Sequence, residues 1–399
     1  MSDIRESGFR DRTKIEDAQA QLFDIPPLER TESVSLENAD GRILQEELHS
    51  QRNVPHYTRA AMDGWAVRAE ATFGASSRSP VMLQTSDQLS THTAVRVHTG
   101  SPLPEDANAV VMIEQTERRN DTLEIFSAVG EGENVAPIGE DIESGQLLYS
   151  PGHRLRPSDL GLLKAAGYND LTVLDTPDVV IIPTGEELVP ADPQQGEVIE
   201  TNGLTISRLV TRWGARVQTT SIVPDSKSNI RSTIQTNLDA DVIVTTGGSS
   251  VGARDLLPEV VNEIGEVLVH GVALKPGHPV ALGRVKDTPI VMLPGYPVAA
   301  IINAVQFLRP LLSHLESRQL DPFPTEKRIL TRKIRSEPGV KTFARVKFED
   351  TTHATPTRAS GSGVLSSVAL ADGWVVVPES KEGIPADEQV TVELWEAVP

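Results

Sequence analysis

Val242-Ile243-Val244-Thr245-Thr246-Gly247-Gly248-Ser249-Ser250-Val251-Gly252-Ala253-Arg254-Asp255 is the segment that decides how this chain reads. The apolar run after the charged Asp241 predicts a buried strand, which empties into a glycine-rich loop ahead of a helix expected over 256–264. With no Cβ at Gly247, Gly248 and Gly252, and with Ser249 and Ser250 between them, backbone N–H groups can approach an oxyanion closely. Asp255 adds hard oxygen ligands. The combination points to a phosphorylated ligand with a metal ion or a second polar group.

The same grammar repeats on either side. Val179-Val180-Ile181-Ile182 ends in Pro183-Thr184-Gly185, and Pro289-Ile290-Val291-Met292-Leu293 ends in Pro294-Gly295-Tyr296-Pro297. Between and after these runs lie helical patterns. Asn202 is read as a cap for Leu204, Ile206, Leu209, Val210 and Trp213, with Gly214 as the stop. A strand is expected over 216–223 and a helix over 228–238. Val298, Ile301, Ile302, Val305, Leu308, Leu312 and Leu315 follow helical spacing. Strand–helix alternation predicts a three-layer α/β/α sandwich with a mostly parallel sheet, its loops gathered at the carboxyl edge where open α/β folds bind ligands. Residues 53–145 show short alternating runs rich in Gly, Pro and Thr, which predicts a β-rich inserted domain. A helix returns over 154–167, and β pattern resumes from 322 to 399.

Composition excludes several chemistries. A 399-residue chain exceeds one ordinary core, so several domains are expected. With no cysteine, there is no thiolate catalysis, Cys-based zinc site, iron–sulfur cluster or disulfide. A net charge of −19 argues against a nucleic-acid surface and obliges any anionic ligand to find local cations and oriented N–H groups. No run reads as a secretory or membrane-spanning segment, so a cytoplasmic location is expected.

Further loops carry polar groups: Arg59-Ala60-Ala61-Met62-Asp63-Gly64-Trp65-Ala66, Thr99-Gly100 with Leu103-Pro104 and Ala109–Met112, Gly139-Glu140-Asp141-Ile142, Gly185-Glu186-Glu187-Leu188 and Leu274-Lys275-Pro276-Gly277-His278-Pro279. A lone Asp-Gly is usually a turn, and an acid pair is usually solvated surface. As an ordered series, with Thr201-Asn202, Leu293–Pro297 and Gly361-Ser362-Gly363, they resemble the molybdopterin molybdenumtransferase family, MoeA and the E domain of gephyrin, from about residue 13 onward.

The resemblance implies four domains: a framework (13–52 and 146–177), the β-rich insertion (53–145), the α/β molybdopterin-binding domain (178–321) and a C-terminal β-barrel (322–399). It implies a homodimer, with the cleft between the α/β domain of one subunit and the β-rich and C-terminal domains of the other. The activity implied is insertion of molybdate into adenylylated molybdopterin, releasing AMP, with Mg2+ and with handover from a molybdopterin adenylyltransferase. Carried over by position, Asp63, Thr99, Asp141, Glu187, Asp225 and Asp255 are the catalytic polar set, and Asp141, Glu187 and Asp255 the metal acids. Gly247, Gly248, Ser249, Ser250, Gly252, Lys275, Pro276, Gly277, His278, Pro294, Gly295 and Pro297 form the pterin-phosphate side. Molybdate is a dianion, so Lys275 and His278, with Arg59 or Arg345, are expected to offset the acids. The chain departs from the family at Tyr296, where Asn is usual, at Ala299, where Ser is common, and at His278 in place of a second lysine. Two alternatives stay open: a molybdopterin adenylyltransferase, which would consume ATP, and a non-catalytic molybdopterin-binding scaffold.

Overall fold

Val242, Ile243 and Val244 are all buried, as a strand covered on both faces requires. The computed structural model describes residues 12–247, 256–357 and 363–395. They fall into two units, Met1–Arg30 with Asp175–Pro399 and Thr31–Leu174, described here each by itself.

In the first unit Arg216–Thr219, Asp178–Pro183, Val242–Thr246 and Thr288–Leu293 lie side by side in that order, all parallel. Ala281–Val285 and Glu266–His270 extend the sheet antiparallel. Alternation splits the side chains between two layers. Val179, Ile181, Val242, Val244, Val291 and Leu293 pack on the helices Asn202–Arg212 and Pro297–Asn303. Val180, Ile182, Ile243, Ile290 and Met292 pack on Lys227–Thr236 and Leu257–Ile264. This is the expected three-layer sandwich. The helix from Pro297 continues through a π-helical stretch, Ala304–Leu308, into Arg309–Leu315. This 19-residue run is long and apolar enough for a membrane span, which the sequence reading did not register, and 83% of its most apolar window is buried inside the protein. It is the core helix of the sandwich.

Three local expectations change. Asn202 does not cap its helix: the cap position is Thr201, and Glu200 Oε1 instead accepts from the Gly203 N–H at 2.6 Å. The strand expected over 216–223 stops at Thr219. The helix Ile15–Leu22, counted with the framework by sequence position, buries Ile15, Ala18 and Leu22 in the α/β core, because their spacing puts them on one face.

The C-terminal strands close a five-stranded barrel. Lys341–Phe348 pairs with His353–Pro356 and Gly373–Val377, and Thr325–Leu330 pairs with His353–Pro356 and Gln389–Glu393. Trp374 against Glu393 completes the ring. Full closure leaves no open sheet edge.

In the second unit, six short strands run in the order Ala109–Met112, Gly64–Val67, Thr93–Val97, Val81–Thr85, Thr122–Ile125 and Thr116–Arg119. Thr31–Ser35 pairs antiparallel with Asp170–Leu174 beside the helix Pro157–Ala166. At that helix's start the Asp159 side chain is 3% exposed. It accepts from Tyr149 Oη (3.0 Å), His153 Nε2 (2.8 Å), and Arg156 through its backbone N–H (2.9 Å) and guanidinium (2.9 Å). Burial raises its pKa, but these bonds outweigh burial and hold the carboxyl well below its usual range. With the folded-state pKa depressed, the stabilisation is present above the unfolded-state value of about 3.9 and is lost as pH falls below it. Asp159→Asn is therefore expected to cost about 2–3 kcal/mol at pH 7, with the gap to wild type closing below pH ~4. Thermal melts of both proteins across that range check it.

Candidate functional site

Three strand ends and one helix start converge at the carboxyl edge of the parallel sheet. The Thr184 N–H donates to the Thr246 carbonyl at 2.9 Å, and Gly247 N–H to the Leu293 carbonyl at 3.1 Å. Asn202 Nδ2 donates to the Gly295 carbonyl at 2.8 Å. The loops Thr184–Glu187 and Pro294–Tyr296 are thus fixed around Gly247, the last described residue before the glycine-rich loop. Gly247 has φ +104, and a Cβ there would overlap the Thr184 carbonyl oxygen, so the approach requires glycine.

Asp225 joins this edge through a parallel bridge between Thr184 and Val223, with Gly185 N–H donating to the Val223 carbonyl at 3.2 Å. Glu187 is exposed and its carboxylate folds back beside Gly185. A 710 Å3 cleft opens here, lined by Pro183, Leu188, Pro190, Ile222 and Pro224, with Glu186, Glu200 and the hydroxyls of Thr219, Thr220 and Ser221. Its size suits a cofactor-sized molecule. Gly248, Ser249, Ser250, Gly252 and Asp255, and Gly361 with Ser362, lie outside the described residues.

Leu274–Lys275 pairs with the start of Lys341–Phe348, so the Lys275–His278 loop is tied to the barrel. Pro276 follows a cis peptide. The Gly277 carbonyl accepts from Asn303 Nδ2 at 2.9 Å, inside the core, where Asn303 is fully buried. Gly277 has φ +113, and a Cβ would run into that amide. The surroundings of two of the expected cations were not legible in the sequence. Lys275 Nζ is already engaged by Glu337 at 2.6 Å. His278 is half-buried, and burial, with Arg12 and Lys275 nearby and Glu337 opposing, pushes its pKa below the ordinary histidine value.

The second unit holds another polar group cluster. Asp63 Oδ1 accepts from the Thr99 backbone N–H (2.7 Å) and Thr99 Oγ1 (3.0 Å). Those two bonds lower its pKa, with smaller help from His98, whose Nδ1 lies 3.8 Å away. Two residues assigned by resemblance are therefore in direct contact, and His98 is an addition that no motif singled out. Tyr57 Oη donates to the Gly100 carbonyl at 2.9 Å, and Ala60 and Ser101 are hydrogen-bonded through their backbones. Arg59-Ala60 pairs with Val135-Ala136. Asp141 stands exposed on a turn whose N–H groups bond the Val54 carbonyl at 3.0 Å. Among the described residues no three metal-ligating side chains cluster together.

The sequence matches the family models for the MoeA N-terminal region (domains I and II) over residues 13–167, a probable molybdopterin binding domain over 180–314, and the MoeA C-terminal region (domain IV) over 327–395. A Methanocaldococcus jannaschii protein named for molybdopterin biosynthesis is 36% identical, over 92% of this chain and 92% of its own. Molybdopterin molybdenumtransferase 2 of Mycobacterium tuberculosis is 33% identical, over 90% of this chain and 94% of its own. A crystal structure of the MoeA protein of Pyrococcus horikoshii OT3 superposes with a TM-score of 0.81 at 30% identity, covering 96% of this chain and 100% of that one.

Proposed function

The chain belongs to the MoeA family of molybdopterin molybdenumtransferases, and on that premise we propose that it inserts molybdate into adenylylated molybdopterin with release of AMP. The observation that carries the reading is the convergence of Thr184–Glu187, Gly247 and Pro294–Tyr296 at one sheet edge, held by the Asn202 bond to Gly295. Such an edge holds a phosphate on backbone N–H groups and leaves acids beside it.

The chemistry is cleavage of the phosphoanhydride that joins adenylate to molybdopterin. Water forms a bond to one phosphorus of the anhydride as that phosphorus loses its bond to the bridging oxygen. AMP and the molybdopterin phosphate separate as two phosphate monoesters, one keeping the bridging oxygen and the other the water oxygen, and the water protons pass to phosphate and solvent. Glu187 and Asp225 are the acids of the α/β unit that orient the nucleophile. Asp63, fixed by Thr99, is the ionised acid of the other unit. The donor set is all hard oxygen, which suits Mg2+. That ion needs only one or two carboxylates when phosphates and water complete its shell, so the lack of a three-acid cluster among the described residues is compatible with it. Asp141, Glu187 and Asp255 are the acids assigned to it, and when bound it supplies charge to polarise the phosphoanhydride. The protein is taken to act as a homodimer supplied by an adenylyltransferase.

Incubation of the purified protein with adenylylated molybdopterin, Mg2+ and micromolar molybdate is expected to release AMP only when the oxoanion is present. Tight binding without release favours the scaffold reading, for which the lowered pKa of His278 and the pairing of Lys275 with Glu337 are the supporting features. Pyrophosphate release from ATP that requires unadenylylated molybdopterin favours the adenylyltransferase instead.

A further inference from the structure

In a chain of net charge −19, the basic side chains Arg12, Lys275 and His278 all bear on one acid, Glu337. Backbone bonds place each of them. Thr13 N–H donates to the Gly271 carbonyl at 3.1 Å and Ala273 N–H to the Thr13 carbonyl at 2.8 Å, which lays Arg12 beside the segment that leads to Lys275. That segment turns back on itself, with Val272 N–H donating to the His278 carbonyl at 2.9 Å. On its other side Lys341 N–H donates to the Ala273 carbonyl at 3.0 Å, and Val340 N–H to the Glu337 carbonyl at 3.2 Å, so the turn that carries Glu337 is held as well. Lys341, the nearest further cation on that strand, is taken by Glu16 at 2.5 Å.

Lys275 Nζ meets Glu337 Oε1 at 2.6 Å, yet the two side chains are 48% and 57% exposed. An ion pair that open to water is worth little to the fold and can be opened at little cost. The backbone beneath it is tied down: Leu274-Lys275 pairs with Lys341-Thr342, and the buried Asn303 amide donates to the Gly277 carbonyl. A fixed ammonium, with an arginine near it and a loosely held carboxylate on it, has the form of an anion site with its own counter-ion in place. A dianion carries twice the charge of that carboxylate, so it can take Lys275 where a monoanion has no advantage.

We propose that Glu337 is the internal counter-ion of Lys275, and that a dianionic oxyanion, either molybdate or the phosphate of molybdopterin, must displace it to bind there. This rests on the substrate reading above and adds a residue that no sequence motif singles out. Glu337 acts through Lys275 as a positioning residue: it holds the ammonium ready, and it weakens capture of the anion by competing for it.

The test is calorimetric titration of the full-length protein with molybdate and, separately, with inorganic phosphate, on wild type, Glu337→Gln, Lys275→Ala and the double variant. Glu337→Gln is expected to bind roughly 3- to 30-fold more tightly, because the competitor and its repulsion of a dianion are both gone. In the Lys275→Ala background the same change should gain about twofold at most. The gain should also shrink as NaCl rises from about 50 to about 500 mM, since exposed charges are screened. With adenylylated molybdopterin, the KM that falls in Glu337→Gln names the source: that of molybdate if the oxoanion sits at Lys275, that of the pterin substrate if its phosphate does. The proposal is overturned if Glu337→Gln binds both anions no more tightly than wild type, if the gain survives undiminished in Lys275→Ala, or if neither anion binds any of the four proteins. A pair that only fastens the barrel to the loop would give the first of these results, with a lower melting temperature in Glu337→Gln. Tighter binding in Glu337→Gln with no AMP release from any of the proteins leaves the proposal standing and removes the catalytic reading instead.

Discussion

Asp63→Asn is expected to lower AMP release by about 100-fold or more while leaving the melting temperature unchanged. The asparagine keeps the shape and one oxygen for the Thr99 N–H and hydroxyl, which bond the carboxylate at 2.7 and 3.0 Å, so the turn keeps its geometry. What disappears is the charge. The side chain is 55% exposed, so folding gains nothing measurable from that charge, whereas catalysis does if Asp63 has the proposed role. The same bonds give a pH prediction. Thr99 donates twice to the ionised form and holds the Asp63 pKa below the ordinary carboxylate value, so the acid stays active into mildly acidic solution. Thr99→Val removes one of those donors. The Asp63 pKa then moves up, and the acid limb of the rate–pH profile moves up with it. Initial rates from about pH 3 to 8 on wild type and both variants test the sign. An acid limb that shifts downward in Thr99→Val would contradict the assignment.

The parts of the fold that read well from sequence are those where local pattern and burial coincide. Val179–Ile182, Val242–Val244 and Ile290–Leu293 are apolar throughout because both faces are covered, and helical spacing from Val298 to Leu315 marks one side of a core helix. Loops after parallel strands leave from one edge, and there Thr184–Glu187, Gly247 and Pro294–Tyr296 come together. What stayed hidden depends on partners far away in sequence. Lys275 reads as a free cation until Glu337, 62 residues on, is found against it. His278 reads as a conditional charge, and the burial that moves its pKa down, with Arg12 and Lys275 nearby, comes from the folded surroundings. Asn202 has the right residue type and position for a cap, but its amide is taken by Gly295, 93 residues away, and Glu200 caps in its place. The acids proposed for the site were named by resemblance, through an ordered series of motifs. Asp63 and Thr99 were both named in the motif series, but only the structure shows that they bond, and His98 beside them carried no signal of its own.

Gly247→Ala is expected to be the most damaging single substitution at the sheet edge. Alanine at φ +104 costs about 1–3 kcal/mol in backbone strain. Its methyl would also overlap the Thr184 carbonyl oxygen, a backbone atom that cannot rotate away, and overpacking of that kind adds about 1–3 kcal/mol. At about 2–4 °C per kcal/mol for a unit of this size, the melting temperature should fall by roughly 5–20 °C. Gly295→Ala is the control from the facing loop. Its Cβ would meet Gly247 Cα at 3.5 Å, an ordinary contact, and no positive φ is required there, so its melting temperature should stay near wild type. The two variants also separate structure from chemistry. Thr184 can yield to the new methyl only by leaving the Thr246 carbonyl, and with it goes the bridge that brings Val223 and Asp225 to the edge. Gly247→Ala should therefore lose AMP release even at temperatures where it remains folded. If it melts early but turns over normally when cold, the convergence at Gly247 holds the fold together without holding the substrate, and the catalytic edge must be sought elsewhere on the chain.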